Sequence, residues 1–142
     1  MTNEQNKAIP RRFFKAMETN DQTAMKELLA PNFKAYHFGS PDPISREELL
    51  MALSMYEGAF SNQKYTIIDQ VAEGDRVTTR TTWEATHSGE YEGLPPTGKR
   101  ILVSGIAVSR IKDGQIVERW LEVDRLGWLQ QLGLVPLPQP SG

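Results

Sequence analysis

Two carboxylates, Glu122 and Asp124, stand two residues apart in the stretch Trp120-Leu121-Glu122-Val123-Asp124. On a strand both project to one side, about 6.5–7 Å apart by strand rise. Carboxylates are rarely placed in a sealed core without partners, so a pair on an otherwise apolar side points to a cavity. Burial there disfavours the charged form and raises the pKa, which strengthens the group as a base and lets it return the proton. Other roles compete. Asp124 is equally placed to cap a helical turn beginning at Arg125. Glu122 either shares charge with Asp124 or pairs with an arginine such as Arg80.

His37 and His87 are the only side chains whose unperturbed pKa lies near neutrality. Each either donates to a substrate carbonyl or is a structural strand histidine; His87 borders the Gly89–Gly98 loop expected to rim a pocket. Tyr36 and Tyr56 offer hydroxyl donors or core packing. Trp83 and Trp120 offer flat walls suited to a flat polycyclic ligand, or again core packing. The absence of cysteine removes disulfides, thiolate catalysis and cysteine-ligated zinc, and two histidines are too few for a histidine-rich metal site.

The elements that must position these residues are legible from period and punctuation. The chain has 142 residues, 39% hydrophobic and 24% charged, with a net charge of −2. That suits one globular domain over residues 1–135, followed by a loose proline-rich tail, 136–142. The short basic clusters Arg11-Arg12 and Lys99-Arg100 do not advertise nucleic acid. No apolar run approaches a membrane span, and the polar N-terminus lacks a signal-peptide core, so a cytoplasmic location is expected. Thr2–Thr19 reads as a first helix on the stripe Ile9, Phe13, Phe14 and Met17, either starting near Asn6 with Pro10 in its first turn or kinked at Pro10. Asn20-Asp21 caps a second, ended by Pro31. Phe33–Phe38 predicts a short strand, and Gly39-Ser40-Pro41-Asp42-Pro43 a loop. Ser45 and Glu48 form a capping-box pattern before a third helix reaching about Phe60. The period then shortens. Strands are predicted over Lys64–Ala72, Arg76–His87, Ile101–Ile111 and Gln115–Asp124, with a closing helical turn over Arg125–Leu132. The order implies an α+β fold with helices on one side of an antiparallel sheet.

Asp113-Gly114 predicts a two-residue hairpin turn, which would set the register of the last two strands. Counting outward from it, Ala107 faces Trp120, Gly105 faces Glu122 and Val103 faces Asp124. That puts Trp120, Glu122 and Asp124 on the cavity side and Arg119, Leu121 and Val123 on the other. Both sides are partly apolar, so each is covered. The helices cover one; on the other a second copy of the chain is expected, giving a homodimer, the alternative being that the C-terminal segment wraps over it.

Several stretches resemble the SnoaL-like polyketide cyclases of the nuclear transport factor 2-like superfamily. They are Asn6–Ile9 through Arg12-Phe13-Phe14, Glu27–Pro31, Gly93-Leu94-Pro95-Pro96-Thr97-Gly98-Lys99, and above all Glu118–Asp124 continuing through Leu126-Gly127 to Gln131-Leu132-Gly133. Pro10 and Trp128 depart from the family pattern; Trp128 is bulky enough to narrow or lid a pocket. The resemblance implies a cone-shaped, strongly curved antiparallel or mixed sheet packed on three N-terminal helices, an α+β barrel open to a hydrophobic small molecule. It also implies aldol-type ring closure of a polyketide-like carbonyl compound without metal or cofactor, with Asp124 at the matching acid/base position. On that reading Trp120, Glu122, His87, His37, Trp83 and Tyr56 would contact substrate. A non-catalytic binding protein, an isomerase, an epoxide hydrolase or an assisted hydroxylation are the alternatives on the same scaffold.

Overall fold

The structure, a computed structural model, describes residues 1–37 and 40–136. Phe38 and Gly39, expected in a strand end and a loop, and the expected tail from residue 137 onward lie outside the described residues.

Helix α1, Asn3–Glu18, fills the stretch expected between Thr2 and Thr19, and Thr2 and Gln5 form a capping box at its start. Pro10 lies inside the helix, and the buried stripe Ile9, Phe13, Phe14 and Met17 holds it against the sheet. Asp21 caps α2, Gln22–Leu28, by accepting the Ala24 N–H at 3.0 Å. The chain turns extended at Leu29 and enters β1, Leu29–Tyr36, so Pro31 sits inside a strand instead of stopping the helix. The ladder to the neighbouring strand is irregular between Leu29 and Lys34, where a missing N–H costs least. A short β2, Ile44–Ser45, leads into α3, Arg46–Ala59, with the Ser45–Glu48 capping box as expected.

Four long strands follow: β3, Phe60–Glu73; β4, Arg76–His87; β5, Arg100–Lys112; and β6, Gln115–Val123. The sheet order is β2-β1-β6-β5-β4-β3, with β1 parallel to β6 and the other neighbours antiparallel. The sheet is thus mixed, and a fourth helix, α4, Arg125–Leu132, joins the three earlier ones. Register irregularities in β3 let this sheet curve around the helices. One core cluster joins Phe13, Phe33, Met25, Leu29, Leu49 and Ile116 beneath α1, α2 and α3. A second joins Phe60, Ala85, Tyr91, Ile101, Trp128 and Leu132 toward α4. Each fully buried side chain of this size contributes roughly 1.5–3 kcal/mol.

The expected hairpin turn is present, since Asp113 and Gly114 both have positive φ (53° and 75°) and Lys112 pairs with Gln115. Two pairs later the expected register fails. Ile111 pairs with Ile116, but Arg110 pairs with Glu118, leaving Val117 as an extra residue. This bulge lets the consecutive apolar residues Ile116 and Val117 both be buried, and it reverses every side chain beyond it. Trp120 therefore faces Val108, Glu122 faces Ile106, and Gly105 faces Val123. The faces assigned from the turn are inverted: Arg119, Leu121 and Val123 point toward the helices, and Trp120 and Glu122 point away.

Asp124 ends the strand as the N-cap of α4, with Oδ1 accepting the Gly127 N–H at 2.9 Å. A Cβ at Gly127 would collide with the Asp124 carboxylate, so any side chain there forces the cap to move. Replacing Asp124 with Ala should cost about 1 kcal/mol of stability, whereas Asn, an equally good cap, should be nearly neutral. Gly127→Ala should destabilise by displacing the cap. Urea denaturation of the three variants checks the ranking.

Candidate functional site

Between the helices and the concave sheet lies a cavity of about 100 Å³. Its apolar wall is built from Phe14 and Met17 of α1, Leu49 and Leu53 of α3, and Leu121 and Val123 of β6. For comparison, an engineered apolar cavity of roughly 150 Å³ takes up benzene. In this conformation the space therefore suits a compact ligand rather than the flat polycycle expected from the tryptophans. Gly105 lets β5 and β6 side chains approach closely: a Cβ there would lie 3.2 Å from Val123 Cγ1.

Polar groups interrupt the apolar wall of the cavity. Arg119 is 4% exposed and lines it. Its guanidinium lies over Phe13 and Phe14, 5.3 and 5.5 Å from the ring centres. Among the described residues no carboxylate pairs with it and no acceptor bonds it. Burial pulls its pKa down to about 10, which leaves it a cation at neutral pH. His37 lines the same cavity. Burial first, and the Arg119 charge second, hold its pKa below the usual histidine value of 6.5, so it is neutral at pH 7. Tyr65, pushed up to about 12 chiefly by burial, keeps its proton. Gln63 accepts from Trp83 Nε1 at 2.9 Å and donates to Glu57 at 2.7 Å, locking one wall. Trp128 is 5% exposed, and its Nε1 has no hydrogen-bond partner among the described residues. Asn20, Tyr56 and Thr81 complete the polar lining, which holds no Asp or Glu among the described residues.

Of the residues singled out from the sequence, His37, Trp83 and Tyr56 line this cavity. Trp120, Glu122, Asp124 and His87 do not. Trp120 stacks on Tyr36 at 5.6 Å and carries the Arg76 guanidinium at 5.1 Å, on the far side of the sheet. Glu122 and Asp124 are exposed and border an open hollow of about 460 Å³ on that face, with Ile68, Arg80 and Ile106. That hollow is larger and more open; the buried Trp128 Nε1, which has no hydrogen-bond partner among the described residues, lies in the wall of the inner cavity. Arg80 does not pair with Glu122, because it forms a forked bond with Asp69 at 2.8 and 3.1 Å. His87 is fully buried; its Nδ1 accepts the Thr97 N–H and meets the Thr97 hydroxyl at 2.9 Å, so it pins the loop instead of lining the pocket. Arg119, Tyr65 and Gln63 were not anticipated as site residues. The adjacent apolar pair Ile116-Val117, which cannot both face one side of a regular strand, was the signal available for Arg119.

Among the described residues no group of three or more His, Asp or Glu is arranged to hold a metal, and no helix is long and apolar enough to cross a membrane.

The electrostatics have a measurable consequence. Unfolded His37 takes a proton near pH 6.5, whereas the folded residue resists it. Its contribution to stability is therefore complete above pH 6.5 and is lost as pH falls from there through the folded pKa. NMR titration should place His37 below 6.5, and Arg119→Met should raise that value by removing the neighbouring cation. Stability measured at pH 7.5 and 5.5 should fall less for His37→Gln than for the unsubstituted chain.

Residues 8–132 match the family model for the SnoaL-like polyketide cyclases. The aklanonic acid methyl ester cyclase DnrD of Streptomyces peucetius is 31% identical over 104 residues, 72% of this chain and 71% of that protein. Among solved structures, AclR of Streptomyces galilaeus, a candidate hydroxylase, superposes with a TM-score of 0.89 at 26% identity, covering 98% of this chain and 87% of that one. IdmH of Streptomyces antibioticus, a candidate polyketide cyclase, gives 0.84 at 31% identity over 91% of this chain and 99% of that one. These likenesses support a cyclase or related small-molecule enzyme on the α+β fold that the sequence implied. The chain belongs to the SnoaL-like polyketide cyclase family.

Proposed function

We propose that this protein closes a ring in a polyketide-like carbonyl compound by cofactor-independent acid/base chemistry, with His37 as the acid/base group. The observation that carries this reading is a neutral imidazole and a buried cation lining one largely apolar cavity. His37 removes a proton from a carbon next to a carbonyl. The negative charge moves to the enolate oxygen, where the Arg119 guanidinium stabilises it. The enolate carbon attacks a second carbonyl, forming the carbon–carbon bond, and the imidazolium returns the proton to the new alkoxide. Atoms and charge balance with no outside oxidant or reductant. The cyclase activity named for DnrD supports this choice of reaction. Asp124, at the position the family resemblance marked as acid/base, instead starts α4 and thereby seats Trp128 in the cavity wall.

One observation favours a second reading, a binding protein without turnover: no Asp or Glu lines the cavity among the described residues. The two separate in an assay with a compact 1,5-dicarbonyl compound. His37→Gln should lower kcat by roughly 10²–10⁴-fold, and Asp124→Asn should leave it nearly unchanged. Loss of turnover in Asp124→Asn with turnover retained in His37→Gln would return the role to the aspartate. Binding without turnover by the unsubstituted protein would select the second reading.

The outer sheet face exposes Leu102, Ile106 and Ile68 at 54%, 46% and 48%. We propose that a second copy covers this face in a homodimer. Light scattering should give twice the chain mass, and Ile106→Lys should shift it toward the monomer.

A further inference from the structure

We infer that the cavity takes an oxo-carboxylic acid, its carboxylate bound by Arg119 and a carbonyl oxygen accepting from Trp128 Nε1. This rests on the reading that the inner cavity is the ligand site, and it adds which compounds enter it. Arg119 and Trp128 are both at least nine-tenths buried, both line the cavity, and neither has an acceptor among the described residues. Buried donors are almost always satisfied by protein, water or ligand. Two such donors in one small apolar cavity are the complement of a molecule with two acceptors.

The character of the two donors assigns the acceptors. A guanidinium presents a planar fork of N–H groups that matches a carboxylate. The ring centres of Phe13 and Phe14 lie 5.3 and 5.5 Å from its Cζ, and neither ring offers a carboxylate or carbonyl acceptor to its N–H groups. An indole N–H is a single neutral donor and suits a carbonyl. The cavity supplies no carboxylate of its own that would neutralise Arg119 or repel an entering anion. A neutral ester at the same place would leave the cation without a counter-charge. The anion is thus present on binding, before any enolate forms, and the substrate enters as a free acid. The volume of about 100 Å³ limits the closed form to compact acids.

The test uses 4-oxopentanoate, its methyl ester, and pentanoate, which lacks the ketone, with the full chain at pH 7. Affinity is read by calorimetry and by the indole N–H resonance of Trp128, assigned with Trp128→Phe. The expected result is that 4-oxopentanoate binds at least about tenfold more tightly than its ester. That preference should vanish in Arg119→Met and persist in part in Arg119→Lys, which keeps the charge. The Trp128 indole resonance should shift with 4-oxopentanoate and not with pentanoate. Equal binding of acid and ester, an acid preference that survives Arg119→Met, or no response to 4-oxopentanoate overturns the inference. If acid and ester bind alike while His37→Gln still abolishes turnover, the substrate class is wrong and the ring-closure reading stands.

Discussion

A guanidinium held against two phenylalanine rings, with no carboxylate beside it, is the constraint on which the site depends. Removing such a charge from water costs several kcal/mol after relaxation. Stacking over aromatic rings returns about 2 kcal/mol at most for a desolvated pair. The balance is unfavourable to folding, and on that ground we propose that Arg119 serves a ligand rather than stability. The same charge helps to keep His37 neutral and is the natural partner for negative charge on a ligand. One extra residue in β6 makes this possible. Without the bulge at Val117, Arg119 would lie on the outer face and Trp120 would fill the cavity.

The surrounding elements serve that placement. The parallel pairing of β1 with β6 sets Ala35 beside Arg119, two residues before His37, and so brings the cation and the imidazole together. The second core cluster works from the other end. Asp124 and Gly127 start α4, and α4 delivers Trp128 into a ring of Phe60, Trp83 and Tyr91, with centroid distances of 5.0–5.8 Å. Such packing leaves the indole little freedom, and its N–H is therefore a fixed feature of the wall. His87, on the same side, holds the loop at Thr97 in place.

Much of this was readable from residue types. Both expected N-caps, Asp21 and Ser45, and the Asp113-Gly114 turn follow from local chemistry that tertiary structure rarely overrides. The cap role of Asp124 was also visible, as one of two readings. What could not be read from the turn was the register five residues away, because a single bulge reverses a strand without changing its composition. The inward carboxylate pair was a consequence of that one missed residue. Pro31 misled for a related reason: proline is a poor strand former in general, yet tolerable where the ladder is already broken. The order of elements already implied the α+β class; the family resemblance added the curved barrel and drew attention to the right strand, while the bulge decided which of its side chains face the cavity.

The central claim is that Arg119 is retained for its charge toward a ligand and at a cost to the fold. The most direct measurement is the thermal unfolding temperature of ligand-free Arg119→Met, set against the unsubstituted protein in the same buffer. The account predicts that the variant unfolds at a higher temperature, since an uncompensated buried charge is exchanged for an apolar side chain of similar reach. Unfolding at a clearly lower temperature would contradict it, and would make Arg119 a structural residue whose stacking on Phe13 and Phe14 outweighs its desolvation.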